Sequence, residues 1–440
     1  ETEEDLNLQK LSKILYYTNG ITAMVPYATP LLLRASPSAG GLYPTEIYVV
    51  TNGFKGLDDG VYNFQVKNHS LIQFWDKSIW DKLKEACFNN GYFDNSNIAI
   101  VYTGVFFRSS WRYQERAYRR ILLDTGHVIG NTEIYSSFQG KQTNLIGAFH
   151  DDAIADLLWL NKEEEGVLAV AILSDSLLEK DNNSVLPSLI KKPSSEDNIL
   201  KSLHNSSKIN SFQETKLLKG SKENPISKPK LTLTVGEPLP EVVIDWENKL
   251  TETIKERRST RYFTSEPIKK DEIAKILSFA YHPEKYQDQG FSPKSDLMDS
   301  SIIETYIAIT DVDGLEDGCY YYSPNKNELR QIRFKNFREE IYYLCLGQEL
   351  GRDAGAVIFH TVNLPEAIEK YGERAYRYLH LDAGILGERL NLACLKIGLG
   401  VSGIGGFFDD QVNDLLGIPE SQAVLYITVV GKPFKESGEE

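Results

Sequence analysis

KYGERAYRYLHLDAGILGERLNLACLKIGLGVSGIGGFFDD, residues 370–410, has a second version earlier in the chain. Residues 112–152 read RYQERAYRRILLDTGHVIGNTEIYSSFQGKQTNLIGAFHDD. Glu373 aligns with Glu115, a shift of 373 − 115 = 258 residues, and the same shift aligns Asp382 with Asp124, Gly405 with Gly147, Phe407 with Phe149 and Asp414 with Asp156. It also sets LEDGCYYY (315–322) on LDDGVYNF (57–64) and Cys345 on Cys87, with no gap from about residue 57 to 158. A period this long is beyond any solenoid repeat and means two copies of one domain.

The stretch predicts a long helix. Ala375, Leu379, Ala383, Leu386, Leu390, Ala393 and Ile397 recur every three or four residues and form one apolar face. Gly384 and Gly387 would let another backbone approach, and Gly398 and Gly400 stop the helix. Gly403, Gly405 and Gly406 then predict a loop whose backbone can lie against a flat ligand. A buried helix followed by an ordinary flexible loop has the same signature.

Composition narrows the function classes. The 440 residues suit two or three domains, and the repeat favours two. With 48 Lys and Arg against 62 Asp and Glu the net charge is −14, which argues against a nucleic-acid or anionic-membrane surface. No apolar run reaches the roughly 18 residues of a membrane span, and no signal-peptide pattern opens the chain. A cytoplasmic protein is expected. The first residue is Glu, which fits a piece of a longer chain. Cys87, Cys319, Cys345 and Cys394 lie in apolar contexts without CxxC spacing and read as buried reduced thiols. The seven histidines show no HExxH pattern, so no metal is expected.

In chain order, an acidic helix (Glu3 to Tyr17) is followed by SPSAGGLYPTEIYVV (36–50), a turn-rich loop entering a strand. Residues 60–74 read as a hairpin, 82–89 as a helix and 97–105 as a buried strand. The first copy of the long helix follows, then a helix over 151–159 and the strand GVLAVAIL (166–173). The boundaries expected are copy one over 1–175, a linker or mobile segment over 176–244, and copy two over 245–440. The middle segment is rich in Ser, Asn, Lys and Pro and is open to contact with a partner.

Copy two contains Arg257-Arg258-Ser259-Thr260-Arg261 after a helix. Guanidiniums and hydroxyls in this density suit a phosphate, although a solvated basic helix end reads alike. Copy one has no such cluster before its SPSAGG loop. Copy two lacks that loop and has SPKSDLMDSSIIETYIAI (292–309) there. Copy two has Gly405-Gly406 where copy one has Gly147-Ala148, and Lys432 where the 258-residue shift gives Ser174. Each half has lost a different part. One site composed from both halves explains this better than two independent sites.

The chain resembles tandem nitroreductase-fold flavoproteins of the SagB-like azoline dehydrogenase and cyanobactin oxidase branch. RRSTR (257–261) is similar to the family's FMN-phosphate motif, SPSAGGLYP (36–44) to its partner-chain loop, IGGF (404–407) to the loop facing flavin N5, and KYGERAYRY (370–378) to its Lys-Tyr motif. The resemblance implies an α+β nitroreductase-like fold in two tandem copies forming an intramolecular pseudo-dimer. It implies FMN bound by Arg257, Arg258, Ser259, Arg261, Pro37, Ser38, Ala39, Gly40, Gly405, Gly406 and Lys432, with Lys370 and Tyr371 as catalytic residues. The implied reaction oxidises a thiazoline or oxazoline in a heterocyclised peptide to the aromatic ring, alongside other enzymes of the same pathway. Arg112-Tyr113 replaces Lys-Tyr in copy one, whose own flavin site is expected to be dead. An NAD(P)H-dependent nitroreductase or quinone reductase, and an inert peptide-binding scaffold, are the alternatives. A homodimer of the tandem chain stays open.

Overall fold

The structure is a computed structural model that describes residues 2–27, 29–175, 185–187, 198–211, 215–217, 235–264, 266–293 and 296–434. The β-branched and aromatic runs of each copy form one antiparallel sheet. The first has six strands in the order Ser70–Trp75, Gly60–Gln65, Thr45–Thr51, Ile98–Val105, Glu165–Ser174 and Gln142–Ile146. The second has seven: Gly236–Pro238, Glu328–Arg333, Gly318–Ser323, Glu304–Ile309, Ala356–Asn363, Gln422–Gly431 and Gly400–Ile404. All neighbours in both are antiparallel. Sheets with helices make this the expected α+β architecture.

The central strand Ile98–Val105 is buried from Ile98 to Gly104 because helices cover both faces. On one face Trp80, Leu83, Ile154 and Ala155 pack on Ala99, Val101 and Val170. On the other, Tyr102 donates its hydroxyl hydrogen bond to Thr132 of the Ala117–Phe138 helix at 2.8 Å. That helix is buried except at Arg119 and Phe138. The periodicity read for the repeated helix showed one apolar face; here the polar Asp124, Thr125, Asn131 and Glu133 are enclosed as well.

Two compact units cut across the copies. One comprises Glu1–Pro225, Gly290–Asp299 and Glu366–Ile385; the other comprises Ile226–Gln289, Ser300–Pro365 and Leu386–Glu440. The Ala375–Lys396 helix is divided between them. In the first unit its opening turns cross the Ala117–Phe138 helix at two glycines. A Cβ on Gly126 would stand 2.7 Å from the Gly384 Cα, and one on Gly384 would stand 2.8 Å from the Gly126 Cα. The two positions differ by 384 − 126 = 258, so the contact is self-complementary like a two-fold interface.

Three expectations are adjusted. The shift of 258 holds from Gln142–Ile146 to Gly400–Ile404 (400 − 142), but the last strands, Glu165–Ser174 and Gln422–Gly431, differ by 422 − 165 = 257. One residue is missing from copy two before that strand, so Gly431 matches Ser174 and Lys432 matches Asp175. Gly403 belongs to a strand paired with Thr428 rather than to the glycine loop, which begins at Gly405. The stretch 176–244 contains folded pieces: the helix Ile199–Ser206, and Gly236–Pro238, which extends the second sheet.

Candidate functional site

In the second unit the arginine segment is tied to the sheet. The helix Leu250–Glu256 ends just before Arg257. Thr260 N–H donates to Val401 O at 2.9 Å, and Val401 N–H donates to Thr260 Oγ1 at 3.0 Å. Thr264 N–H donates to Lys432 O at 2.8 Å, and Phe263 bridges to Pro433. Segment 257–264, the start of Gly400–Ile404 and the residue after Gln422–Gly431 therefore converge at one sheet end. Gly400 is required there, since a Cβ would sit 2.8 Å from the Thr260 side chain. Gly400–Ile404 then runs to Gly405 and Gly406, about 13 Å from Val401 at strand rise. Arg257 is buried and Arg261 exposed. Lys432 is ion-paired with Glu272 at 2.6 Å, so its charge is already shared.

The Ser36–Gly41 loop is held from beneath in the first unit. Ser36 donates to Asn19 Oδ1 at 2.8 Å, Ser38 donates to Asp124 Oδ2 at 2.5 Å, and Ala39 N–H donates to Asp124 Oδ1 at 3.1 Å. Burial pushes the Asp124 carboxyl up to about 7, against the opposing pull of the Ser38 and Ala39 hydrogen bonds and of Arg120. Gly40 and Gly41 have φ of +65° and +66°, which glycine adopts without strain. Copy two repeats the anchor: Leu297 N–H donates to Asp382 Oδ1 at 2.9 Å. Both separations are 258 (297 − 39 and 382 − 124). Leu297 and Met298 thus stand where copy one has Ala39 and Gly40.

Lys370 and Tyr371 close the helix Leu364–Tyr371 in the first unit. Lys370 Nζ lies 5.0 Å from the Tyr371 ring centroid, and Tyr371 is buried. Gly372, with φ of +76°, turns the chain before the long helix.

Reading the sequence missed the buried ionic cluster that follows. Arg374 donates to Asp151 Oδ2 at 2.6 Å, to Ser207 O at 2.9 Å and twice to Gly147 O, at 3.0 and 2.8 Å. Arg377 donates to Asp151 Oδ1 at 2.6 Å, to Ser207 Oγ at 2.7 Å and to Val167 O at 3.1 Å. Burial alone would raise the Asp151 pKa, but the two guanidiniums outweigh it and hold the carboxyl down at about 2. The recurring ERAYR was the available signal, together with the Asp of the repeated Phe–x–Asp, Asp151 in copy one and Asp409 in copy two. Gly147 aligns with Gly405, yet its carbonyl is taken by Arg374, and Tyr378 stands 2.6 Å from where its Cβ would be. Ser207 and His204, from the helix inside the expected linker, complete the fill.

Arg257, Arg258, Ser259, Arg261, Gly405, Gly406 and Lys432 lie in the second unit, and Pro37, Ser38, Ala39, Gly40, Lys370 and Tyr371 in the first. Among the described residues no helix is long and apolar enough to cross a membrane.

The chain is similar to known proteins over nearly its whole length. The nitroreductase family pattern matches residues 2–172 and 254–432. A crystal structure of an Anabaena variabilis protein assigned to the nitroreductases superposes with a TM-score of 0.92 at 46% identity, covering 99% of this chain and 90% of that one. A Methanocaldococcus jannaschii protein assigned to the nitroreductases is 28% identical over 179 residues, 41% of this chain and 89% of that protein. The trifolitoxin-processing protein TfxB of Rhizobium leguminosarum bv. trifolii is 29% identical over 177 residues, 38% of this chain and 47% of TfxB.

Proposed function

Because the chain belongs to the nitroreductase family, with 2–172 and 254–432 each matching it, we propose that it is an FMN-dependent oxidase that aromatises thiazoline or oxazoline rings in a peptide. The observation that carries the flavin reading is the second unit's sheet end. Three guanidiniums and a serine hydroxyl (Arg257, Arg258, Ser259, Arg261) sit on a segment clamped to Val401, from which the strand leads to Gly405-Gly406. This donor set fits a phosphate, and a glycine pair one strand length away fits a flat ring. Pro37, Ser38, Ala39 and Gly40 complete the proposed set by their sequence pattern. The peptide substrate is supported by the similarity to TfxB, a protein named for processing trifolitoxin.

FMN, when bound, supplies the two-electron acceptor for hydride. The chain's residues do the rest. The arginines and Ser259 bind and orient the phosphate. Lys370 accepts the ring proton at Nζ, and Tyr371 beside it orients that amine. Lys370→Ala should therefore stop azoline turnover and leave the yellow chromophore bound. Normal turnover by this variant would remove Lys370 from the base role.

The second reading, an NAD(P)H-dependent reductase of nitro compounds or quinones, is favoured by the nitroreductase relatives. It uses the same flavin residues without Lys370. Rapid flavin reduction by NADPH, insensitive to Lys370→Ala, would establish it in place of the azoline oxidase.

A further inference from the structure

The two sheets differ at one edge. Ser70–Trp75 ends the first sheet, and Glu328–Arg333 is its counterpart in the second, with both strand ends 258 residues apart (328 − 70 and 333 − 75). The second strand is covered. Gly236–Pro238 runs antiparallel along it, with Pro238 opposite Glu328, Glu237 opposite Leu329 and Gly236 opposite Arg330. Leu239 N–H continues the ladder by donating to Asn327 O at 2.9 Å. The shift sets Ser70, Leu71 and Ile72 at the covered positions and His69 at Asn327. His69 and Asn327 share the same left-handed turn, with φ of +47° and +46°. Among the described residues no strand pairs with the outer side of Ser70–Trp75. Burial follows this difference: Leu329 is fully buried and Leu71 only partly, and Ile72 is 53% exposed.

The bare edge also lacks the usual protection. A sheet edge is a template for another chain, and exposed edges ordinarily carry charges or proline. SLIQFW (70–75) has neither, and its exposed side chains include Ile72 and Phe74, the latter edge-on to Tyr48 at 5.9 Å. The covered strand ELRQIR (328–333) is the charged one, with Arg330 paired to Glu328 at 2.6 Å. Both edges keep a register shift at the same place, opposite Gln73 and Trp75 in copy one and opposite Gln331 and Arg333 in copy two. Such a bulge twists the end of the strand, which obstructs edge-to-edge pairing of two whole sheets. A single short segment avoids it: Gly236–Pro238 uses only the three residues before the bulge.

We infer that Ser70–Ile72 is a docking edge for an extended, uncharged peptide, which adds to the first sheet as an antiparallel seventh strand and lays an apolar side chain beside Ile72. Backbone hydrogen bonds supply the affinity and alternate side chains the specificity. Docking of this kind requires neither flavin nor turnover, so it stands apart from the reading above. The probe is a fluorescein-labelled peptide of about six residues, alternating valine and threonine, titrated into the full chain and followed by fluorescence anisotropy. Ile72→Lys puts a charge on the exposed edge and should weaken binding about tenfold at an unchanged melting temperature. Met24→Lys, at an exposed apolar position on the separate two-stranded sheet, should bind the probe as wild type does. The same peptide with every backbone nitrogen methylated should not bind. No binding by the wild-type chain at about 1 mM probe, wild-type affinity in Ile72→Lys, or equal binding of the methylated peptide would each overturn the inference. Sedimentation should give the same mass for wild type and Ile72→Lys; a larger wild-type mass would make a second copy of the chain the occupant and overturn it too.

Discussion

Single residues decide whether the candidate loop and the buried cluster can exist. Gly40 combines φ of +65° with a phenol hydroxyl where a Cβ would go, so neither backbone nor space admits a side chain. Gly40→Ala should lower stability by about 2 kcal/mol, read as a fall in urea midpoint at unchanged slope; an unaltered midpoint would mean that the loop adapts. Arg374→Ala should cost about 3–5 kcal/mol, because it leaves Asp151 buried with half its compensation. The two aspartates have opposite pH signatures. The Asp151 carboxyl is held at about 2, below its usual 3.8, so its contribution is present above 3.8 and is lost as pH falls towards 2. The Asp124 carboxyl is raised from 3.8 to about 7, so its contribution is full below 3.8 and is lost as pH rises to about 7. Unfolding curves at several pH values should show Asp124→Asn gaining on wild type across that window. Parallel pH profiles would contradict the raised Asp124. Tyr113 and Arg112 pack on Gly40, whereas their counterparts Lys370 and Tyr371 belong to the copy that has Leu297-Met298 for Ala39-Gly40. Loss of turnover in Tyr113→Phe with full turnover in Lys370→Ala would therefore move the base role to copy one.

At the scale of elements, much of the fold was legible because it depends on local period and punctuation. The strand 166–173, the helix over 151–159 and the end of the long helix at Gly398 were each set by branched residues, apolar spacing or a glycine in the left-handed region. What stayed hidden depends on contacts distant in sequence. Ile199–Ser206 has too short an apolar pattern to stand out beside Ser- and Lys-rich neighbours, and only its partners, Arg377 and Tyr118, show why Ser207 and His204 are buried. The total enclosure of Ala117–Phe138 was hidden in the same way, since its polar residues read as a solvent face. Lys432 was placed opposite Ser174 because a one-residue deletion in copy two leaves no mark in sequence; strand pairing alone shows that Asp175 is its counterpart. The Gly126–Gly384 crossing follows directly from the repeat. Gly126→Leu should cost about 3 kcal/mol or more, measured by chemical denaturation; wild-type stability would show that the helices can separate without penalty.

For the molecule as a whole, duplication explains why the sheets agree and the motifs do not. Both copies keep the six-strand order, the long helix and the aspartate beneath the loop, since these carry the fold. They differ where a cofactor would be held. Copy one keeps the glycine loop and has Asp175 where copy two has Lys432; copy two keeps the arginine segment and has Leu297-Met298 for Ala39-Gly40. At Gly147, aligned with Gly405, the backbone is covered by Arg374 and Tyr378. The proposed reading is one flavin for two copies. The most direct measurement is the amount of FMN released per chain after reconstitution and removal of excess. One FMN per chain is the predicted result; two per chain would show that the filled position in copy one still binds flavin, and none would contradict the flavin site itself.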